Sequence, residues 1–330
     1  MSAPFIPRRI REELSSPAPA GQRHEQMKDL VLPLLVAGLT PEAVFAQLRS
    51  MYESDVSDKE IEDLIVWAVS KNPQGASIAR PPRIPEKPKR VTAEQATGNL
   101  KRWLNGFSCE EYDLWERSPW RPLEDWKLDS LPLLAALYEK DEFVNIVTDF
   151  TIEEDDKKKA NPKGAGKILS RDQWMRSIRD NGTPQDDAGA WIRPNPVKKI
   201  GSGKAGAVTD TDVTSFRFCV LESDLLPADL ALSLWARLPL PIAAIISSGG
   251  KSPHAWVKVD CANSEEYSAL VERIYARLAR FGIDRGNKNP SRLSRLPGAQ
   301  RKVGKHEEGH QRLLYLNPEP VEASIFERKK

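Results

Sequence analysis

The spacing of apolar and polar positions divides the chain into stretches of different character. Residues 1–22 are rich in Pro, Ser and Ala and hold no sustained apolar period, which predicts a mobile arm. From Arg23 the period becomes helical. Leu30, Val31, Leu34 and Leu35 recur before Gly38, and Thr40-Pro41-Glu42 reads as a cap followed by Pro at the first helical position. Val44, Phe45 and Leu48 predict the stripe of a second helix. Ile61, Leu64, Ile65 and Ala68 predict that of a third, ending near Asn72-Pro73. Residues 23–75 therefore read as a small three-helix accessory module, close to the lower size limit for independent folding. Residues 76–95 set Pro81, Pro82, Pro85 and Pro88 among Arg80, Arg83, Lys87, Lys89 and Arg90, the composition of an extended basic linker and a domain boundary.

Beyond the linker, residues 96–330 form a second domain of mixed pattern. Helical spacing covers 94–104 and 130–139, aromatic-rich loops fill 107–126, and 143–147 reads as a strand. Residues 153–167 are acidic, then basic, then Gly-rich, and read as a solvated loop. Strand and helix then alternate: FRFCVL at 216–221, a helix at 227–237, and apolar strands at 243–246 and 255–259. An amphipathic helix follows at 265–281, with Leu270, Ile274, Leu278 and Phe281 on one stripe. This order predicts an α+β domain, a strand-rich sheet with helices on one face.

Composition narrows the class. With 330 residues, 40% hydrophobic and 29% charged, the chain is globular rather than fibrous or wholly disordered. Lys plus Arg at 49 against Asp plus Glu at 47 gives a net charge of +2, so nucleic-acid binding, where present, is a local property. The longest apolar stretches, such as 238–247, reach about half of the ~20 residues a membrane span needs. The start, MSAPFIPRRIREEL, lacks the continuous apolar core of a secretory signal, which leads us to expect a cytoplasmic protein. Cys109, Cys219 and Cys261 are widely spaced, as free thiols in a reducing compartment are.

Three motif matches fail on context. His306-Glu307-Glu308-Gly309-His310 matches H-E-x-x-H, but Gly309 and the polar flank do not suit a buried zinc-binding helix. GSGKAG at 201–206 has neither a strand before it nor an apolar helix after it. Gly250-Lys251-Ser252 resembles the end of a P-loop, yet Ile245 stands where the first Gly belongs.

A constellation of three pieces survives. Glu222 and Asp224 follow an apolar strand and share one side by period 2, where a divalent cation relieves their repulsion. A second strand ends in SSGGKSPHAWV, which sets Lys251, Ser252 and His254 around a Gly pair that permits close backbone approach to a ligand. Finally, Asp284 follows an apolar pair, and Arg292 and Arg295 lie three apart, a spacing that lets guanidinium groups fork onto phosphate oxygens.

Together these pieces resemble the archaeo-eukaryotic primase superfamily, the primase-polymerases, and in particular the branch found in phages, plasmids and other mobile elements. The resemblance rests on Glu222-Ser223-Asp224, on Ser252-Pro253-His254, and on Ile283-Asp284 with Ser291-Arg292-Leu293-Ser294-Arg295-Leu296-Pro297-Gly298. It covers about 210–300 and extends upstream to about 98. Many members begin the first motif with Asp where this chain has Glu222. The resemblance implies an RRM-like antiparallel-sheet catalytic core with helices packed on it. It implies a nucleotidyltransferase that makes primers on single-stranded DNA from nucleoside triphosphates, with two divalent ions, Mg²⁺ or Mn²⁺, held by Glu222, Asp224 and Asp284. Asp260 is the alternative third acid. Lys251, Ser252, His254, Arg292 and Arg295 then hold the triphosphate, and Trp256 or the basic linker tracks the template. For Trp256, core packing is the competing reading. No fused helicase motor is visible, so a replicative helicase is expected as a separate partner. Residues 23–72 are similar to the helical module that accompanies such primases, usually on the C-terminal side. A non-catalytic replication initiator or single-strand-binding protein that keeps the same fold is the alternative reading. A DNA-nicking replication protein fits less well, because no paired His ligands and Tyr nucleophile stand out.

Overall fold

The computed structural model describes residues 8–19, 21–52, 56–71, 91–152, 160–250, 252–303 and 309–327. The chain divides into two compact units, residues 1–89 and 90–330. Among the described residues no helix is long and apolar enough to cross a membrane.

The first unit packs α1 (Arg8–Leu14), α2 (Arg23–Val36), α3 (Pro41–Met51) and α4 (Asp58–Lys71). Thr40 caps α3, its hydroxyl accepting from Ala43 N at 3.2 Å, and Pro41 occupies the first turn, where its missing N–H costs nothing. Met27, Leu30, Val31 and Leu34 meet Val44 and Leu48 of α3 and Ile61, Leu64, Ile65 and Ala68 of α4 in one core. The arm expected over 1–22 is corrected in part: residues 8–14 are helical, and Ile10 is buried in the same core. One apolar position per turn suffices to dock so short a helix, and that signal is too sparse to stand out as a period.

The linker lies largely outside the described residues. Where description resumes, Thr92 and Gln95 form a capping box, so helix has replaced linker before residue 95. This helix is α5 (Ala93–Leu104). There follow α6 (Glu111–Arg117), α7 (Ser130–Leu137), β1 (Phe143–Val147), β2 (Phe150–Ile152), β3 (Ala160–Pro162), β4 (Lys167–Ser170), α8 (Arg171–Asn181) and β5 (Trp191–Ile192). The remainder is β6 (Phe216–Leu221), α9 (Ala228–Arg237), β7 (Ile242–Ile246), β8 (His254–Cys261), α10 (Ser264–Leu278), β9 (Ser294–Arg295), β10 (Gln300–Arg301), β11 (Gly309–His310) and β12 (Leu313–Leu316).

The second unit is a mixed α+β fold built on antiparallel sheets. Its central sheet has the order β12-β7-β8-β6, and a second sheet runs β4-β1-β5-β9. Period 2 sorts the central strands. Cys219 and Leu221 of β6 with Ala255 and Val257 of β8 face α5, α9 and α10, whereas Phe218, Val220 and Trp256 face the second sheet, α7 and α8. Helices on one face alone is therefore not the packing: both faces of the central sheet are covered, one by helices and the other by a sheet with two helices. The solvated loop expected at 153–167 is also narrower than that span, because Ala160–Pro162 pairs with Phe150–Ile152 as a short hairpin and Lys167 opens β4; residues 153–159 lie outside the described residues.

The register fixes the site. Leu221, the last residue of β6, stands opposite Ala255, and Ile246 of β7 stands opposite His254. The chain that leaves β6 therefore emerges beside the chain that enters β8.

Candidate active site

Glu222 follows β6 directly and is only 8% exposed. Its Oε2 lies 3.0 Å from His254 Nε2, and its Oε1 lies 3.4 Å from Arg292 Nη2. The carboxylate thus joins residues that are distant in sequence. Burial works to raise its pKa, but His254, the Asn287 amide, Arg292 and Arg295 outweigh burial, and the net direction is down. Glu222 is an anion held inside the protein.

His254 is almost fully buried, and a hydrogen-bond chain sets its tautomer. Trp256 Nε1 donates to Ser294 Oγ at 2.8 Å, so that hydroxyl is free to donate onward to His254 Nδ1 at 3.0 Å. The backbone N–H of Arg295 also points at Nδ1, at 3.4 Å. With Nδ1 accepting, Nε2 carries the proton and donates to Glu222. Burial lowers the pKa of His254, against the opposing pull of Glu222, so the neutral ring is the resting form.

Asp224 is exposed, and its Oδ1 accepts from Ser252 Oγ at 2.9 Å. Ser223, between the two acids, faces the other way and donates to Gly282 O at 2.8 Å. Asp284 comes to the same strand end through its backbone, its N–H donating to Glu222 O at 2.9 Å, while its own Oδ1 accepts from Gly286 N at 2.9 Å. Asp260, the rival acid, sits six residues along β8 from His254, roughly 20 Å away at strand rise, and pairs with Lys258 Nζ at 3.2 Å. Lys251 lies outside the described residues.

The two arginines behave differently. Arg292 is the more open, with a side chain 37% exposed, and its Nε is buried without a hydrogen-bond partner. Arg295 is buried: its guanidinium lies 4.2 Å from the centre of the Trp191 ring and its Nη1 donates to Ala188 O at 2.9 Å. Burial, with Arg301 in support, lowers the Arg295 pKa to about 9. Trp256 is fully buried, so its ring is closed to a nucleic-acid base and serves the core and the Ser294 chain instead.

Several residues of the site carry no sequence signal. Asn287 is fully buried beside Glu222, with neither side-chain atom in a well-formed hydrogen bond. Arg301 is 8% exposed, and its Nε is orphaned. No ion pair forms on Arg301 among the described residues. The Arg301 side chain lies against Gly249, in the turn leading to Ser252. The second His of the discounted zinc motif, His310, stacks on Trp126 at 4.3 Å, and the first lies outside the described residues.

The donor set suits a hard cation in chemistry, since it consists of carboxylate oxygens. Among the described residues, however, no three His, Cys, Asp or Glu side chains stand together as a ready ligand group. Glu222 has both oxygens engaged, whereas Asp224 and Asp284 each have one oxygen bonded within the protein and one free among the described residues.

A solved structure similar to this chain is the AEP domain of the Cyanophage S-2L Primase-Polymerase (PrimPol), with 23% identity and a TM-score of 0.35, the match covering 61% of this chain and 94% of that one. No family model and no curated protein matches the chain.

Proposed function

We propose that the chain is a nucleotidyltransferase of the primase-polymerase kind, which starts primers on single-stranded DNA from nucleoside triphosphates in the replication of a phage or other mobile element. One observation carries the reading: residues 222–224, 252–254 and 284–295 meet at Glu222, whose carboxylate contacts His254 and Arg292 and whose backbone carbonyl accepts from Asp284 N. Acids and incompletely paired guanidinium groups side by side are the charge pattern that a cation-bound polyphosphate needs.

In this reading a 3′-hydroxyl attacks the α-phosphorus, the bond to the pyrophosphate oxygen breaks, and the hydroxyl proton is lost. Asp224 and Asp284, each with a carboxylate oxygen free among the described residues, would hold Mg²⁺ or Mn²⁺ together with Glu222, and the ion when bound would supply charge neutralisation and a more acidic hydroxyl. Arg292 offers N–H groups to the phosphates, with Lys251 and Arg301 as further cations. His254, fixed as an Nε2–H donor, holds the Glu222 carboxylate in place, and Ser252 orients Asp224. Arg295 supports the wall through Trp191.

The test is incubation with single-stranded DNA, labelled nucleotides and Mg²⁺ or Mn²⁺ in the absence of a primer. De novo oligonucleotides are expected from the wild-type chain and none from a folded Asp224→Asn variant. Absence of products from a folded wild-type chain that still binds the DNA would favour the non-catalytic initiator.

A further inference from the structure

The loop just before Arg292 is held from several directions. Asn195, three residues after β5 and 1% exposed, uses every hydrogen bond its amide offers. Its Oδ1 accepts from Arg217 N at 2.9 Å and Phe218 N at 2.8 Å, and its Nδ2 donates to Phe218 O at 2.8 Å and Pro290 O at 2.9 Å. One side chain thus ties β6 to the 290 loop. Next along that loop, Ser291 O accepts from Arg193 Nη1, and Arg193 Nε donates to Asn145 Oδ1 at 2.9 Å. Asp210 Oδ1 accepts from Ser291 N at 3.2 Å and from Ser291 Oγ at 2.5 Å.

The two segments that Asn195 joins are the ones that carry the ion pair of the site. Four residues after Phe218 the strand delivers Glu222, and two residues after Pro290 the loop delivers Arg292, 3.4 Å from the Glu222 carboxylate. We infer that Asn195 is a positioning residue: it fixes the separation of Arg292 from Glu222, and so sets where the guanidinium meets a nucleotide's phosphates. The second half of this inference rests on the function proposed above, while the first half does not.

Asn195→Asp keeps the volume but puts an oxygen against Phe218 O and Pro290 O. Asp210→Ala, at an exposed position, removes the acceptor of both Ser291 bonds and serves where Asn195→Asp fails to fold. Two measurements apply to both. Phenylglyoxal labelling of Arg292, read by mass spectrometry, is expected to quicken at least about threefold in either variant. Binding of the α,β-imido analogues of ATP and dATP with Mg²⁺ is expected to weaken about tenfold in either variant, with no further loss when Arg292→Gln is already present. Unchanged labelling of Arg292 in a folded variant, or nucleotide losses that multiply with those of Arg292→Gln, overturns the positioning role. If wild type binds neither analogue, the proposed function fails, and labelling alone still decides what Asn195 does.

Discussion

At the scale of single residues, the side chains that gather at Glu222 were legible where they stand in a short motif, and hidden where only a distant contact brings them there. Glu222, Ser252, His254 and Arg292 declare themselves by spacing. Ser294 and Arg301 do not, because a Ser or an Arg in a loop means nothing until its partner is known. Ser294 is the clearest case, since its hydroxyl links the Trp256 indole to His254. Ser294→Ala orphans a buried indole N–H and should cost ~1–3 kcal/mol in denaturant unfolding. Adding Trp256→Phe removes the orphan, so the pair should cost less than the two single changes summed; additive losses would sink the hydrogen-bond chain. A second residue-level prediction concerns Asp129, which is fully buried and accepts from Leu313 N at 2.9 Å. Burial, only partly offset by that N–H and by Arg312, raises its pKa to about 7 from 3.8. Because the folded value is the higher one, the stability this carboxyl contributes is complete below about pH 4 and is lost as pH rises through 7. Asp129→Asn cannot ionise, so its Tm should gain on wild type from about pH 4 to about pH 7 and level off above that. An offset that does not vary with pH would contradict the assignment.

At the scale of elements, strands were read more accurately than helix faces. The strand Phe216–Leu221 was legible to the residue, as a short run of apolar and β-branched residues broken only by Arg217. Of the stripe read for the α10 segment, Leu278 and Phe281 lie in the core, while Leu270 and Ile274 are only partly buried at its edge, where Tyr267, Val271 and Tyr275 take the inward positions. That reading passed over Val271 and two tyrosines. The two tyrosines are core residues whose hydroxyls find carbonyl partners: Tyr275 donates to Val220 O and Asn287 O, and so links α10 to the strand and the loop of the site. The hairpin of β10 and β11 escaped sequence reading altogether, since two-residue strands carry no period. Its Gly309 presses on Gly249, where a Cβ would collide with the Gly249 carbonyl, and Gly249 itself has φ +68°. Gly309→Ala should therefore push the hairpin off the turn that leads to Ser252, lower the Tm, and reduce primer-independent nucleotide incorporation at least about tenfold. Full activity with an unchanged Tm would show that this close approach has no bearing on the site.

At the scale of the whole molecule, Pro and Arg replace apolar periodicity for some twenty residues, and the two compact units divide between residues 89 and 90. The order of the layers was not legible, because which face of a sheet a helix covers depends on contacts that no local pattern encodes. The cores make the division a physical one. The buried cluster of the first unit draws only on residues between Ile10 and Val69, and the clusters of the second unit draw on residues from Val91 onward. A unit that closes its own core needs no other to stay folded. The second unit also supplies every residue proposed for nucleotide transfer, from Glu222 to Arg301. A chain of residues 90–330 should therefore unfold in one cooperative transition, bind the nucleotide analogues as the full chain does, and retain primer-independent synthesis within about threefold. Residues 1–89 alone should remain helical by circular dichroism. A shortened chain that folds and binds nucleotide but makes no primer would assign template engagement to the helical unit, and one that does not fold at all would show that the boundary is misplaced.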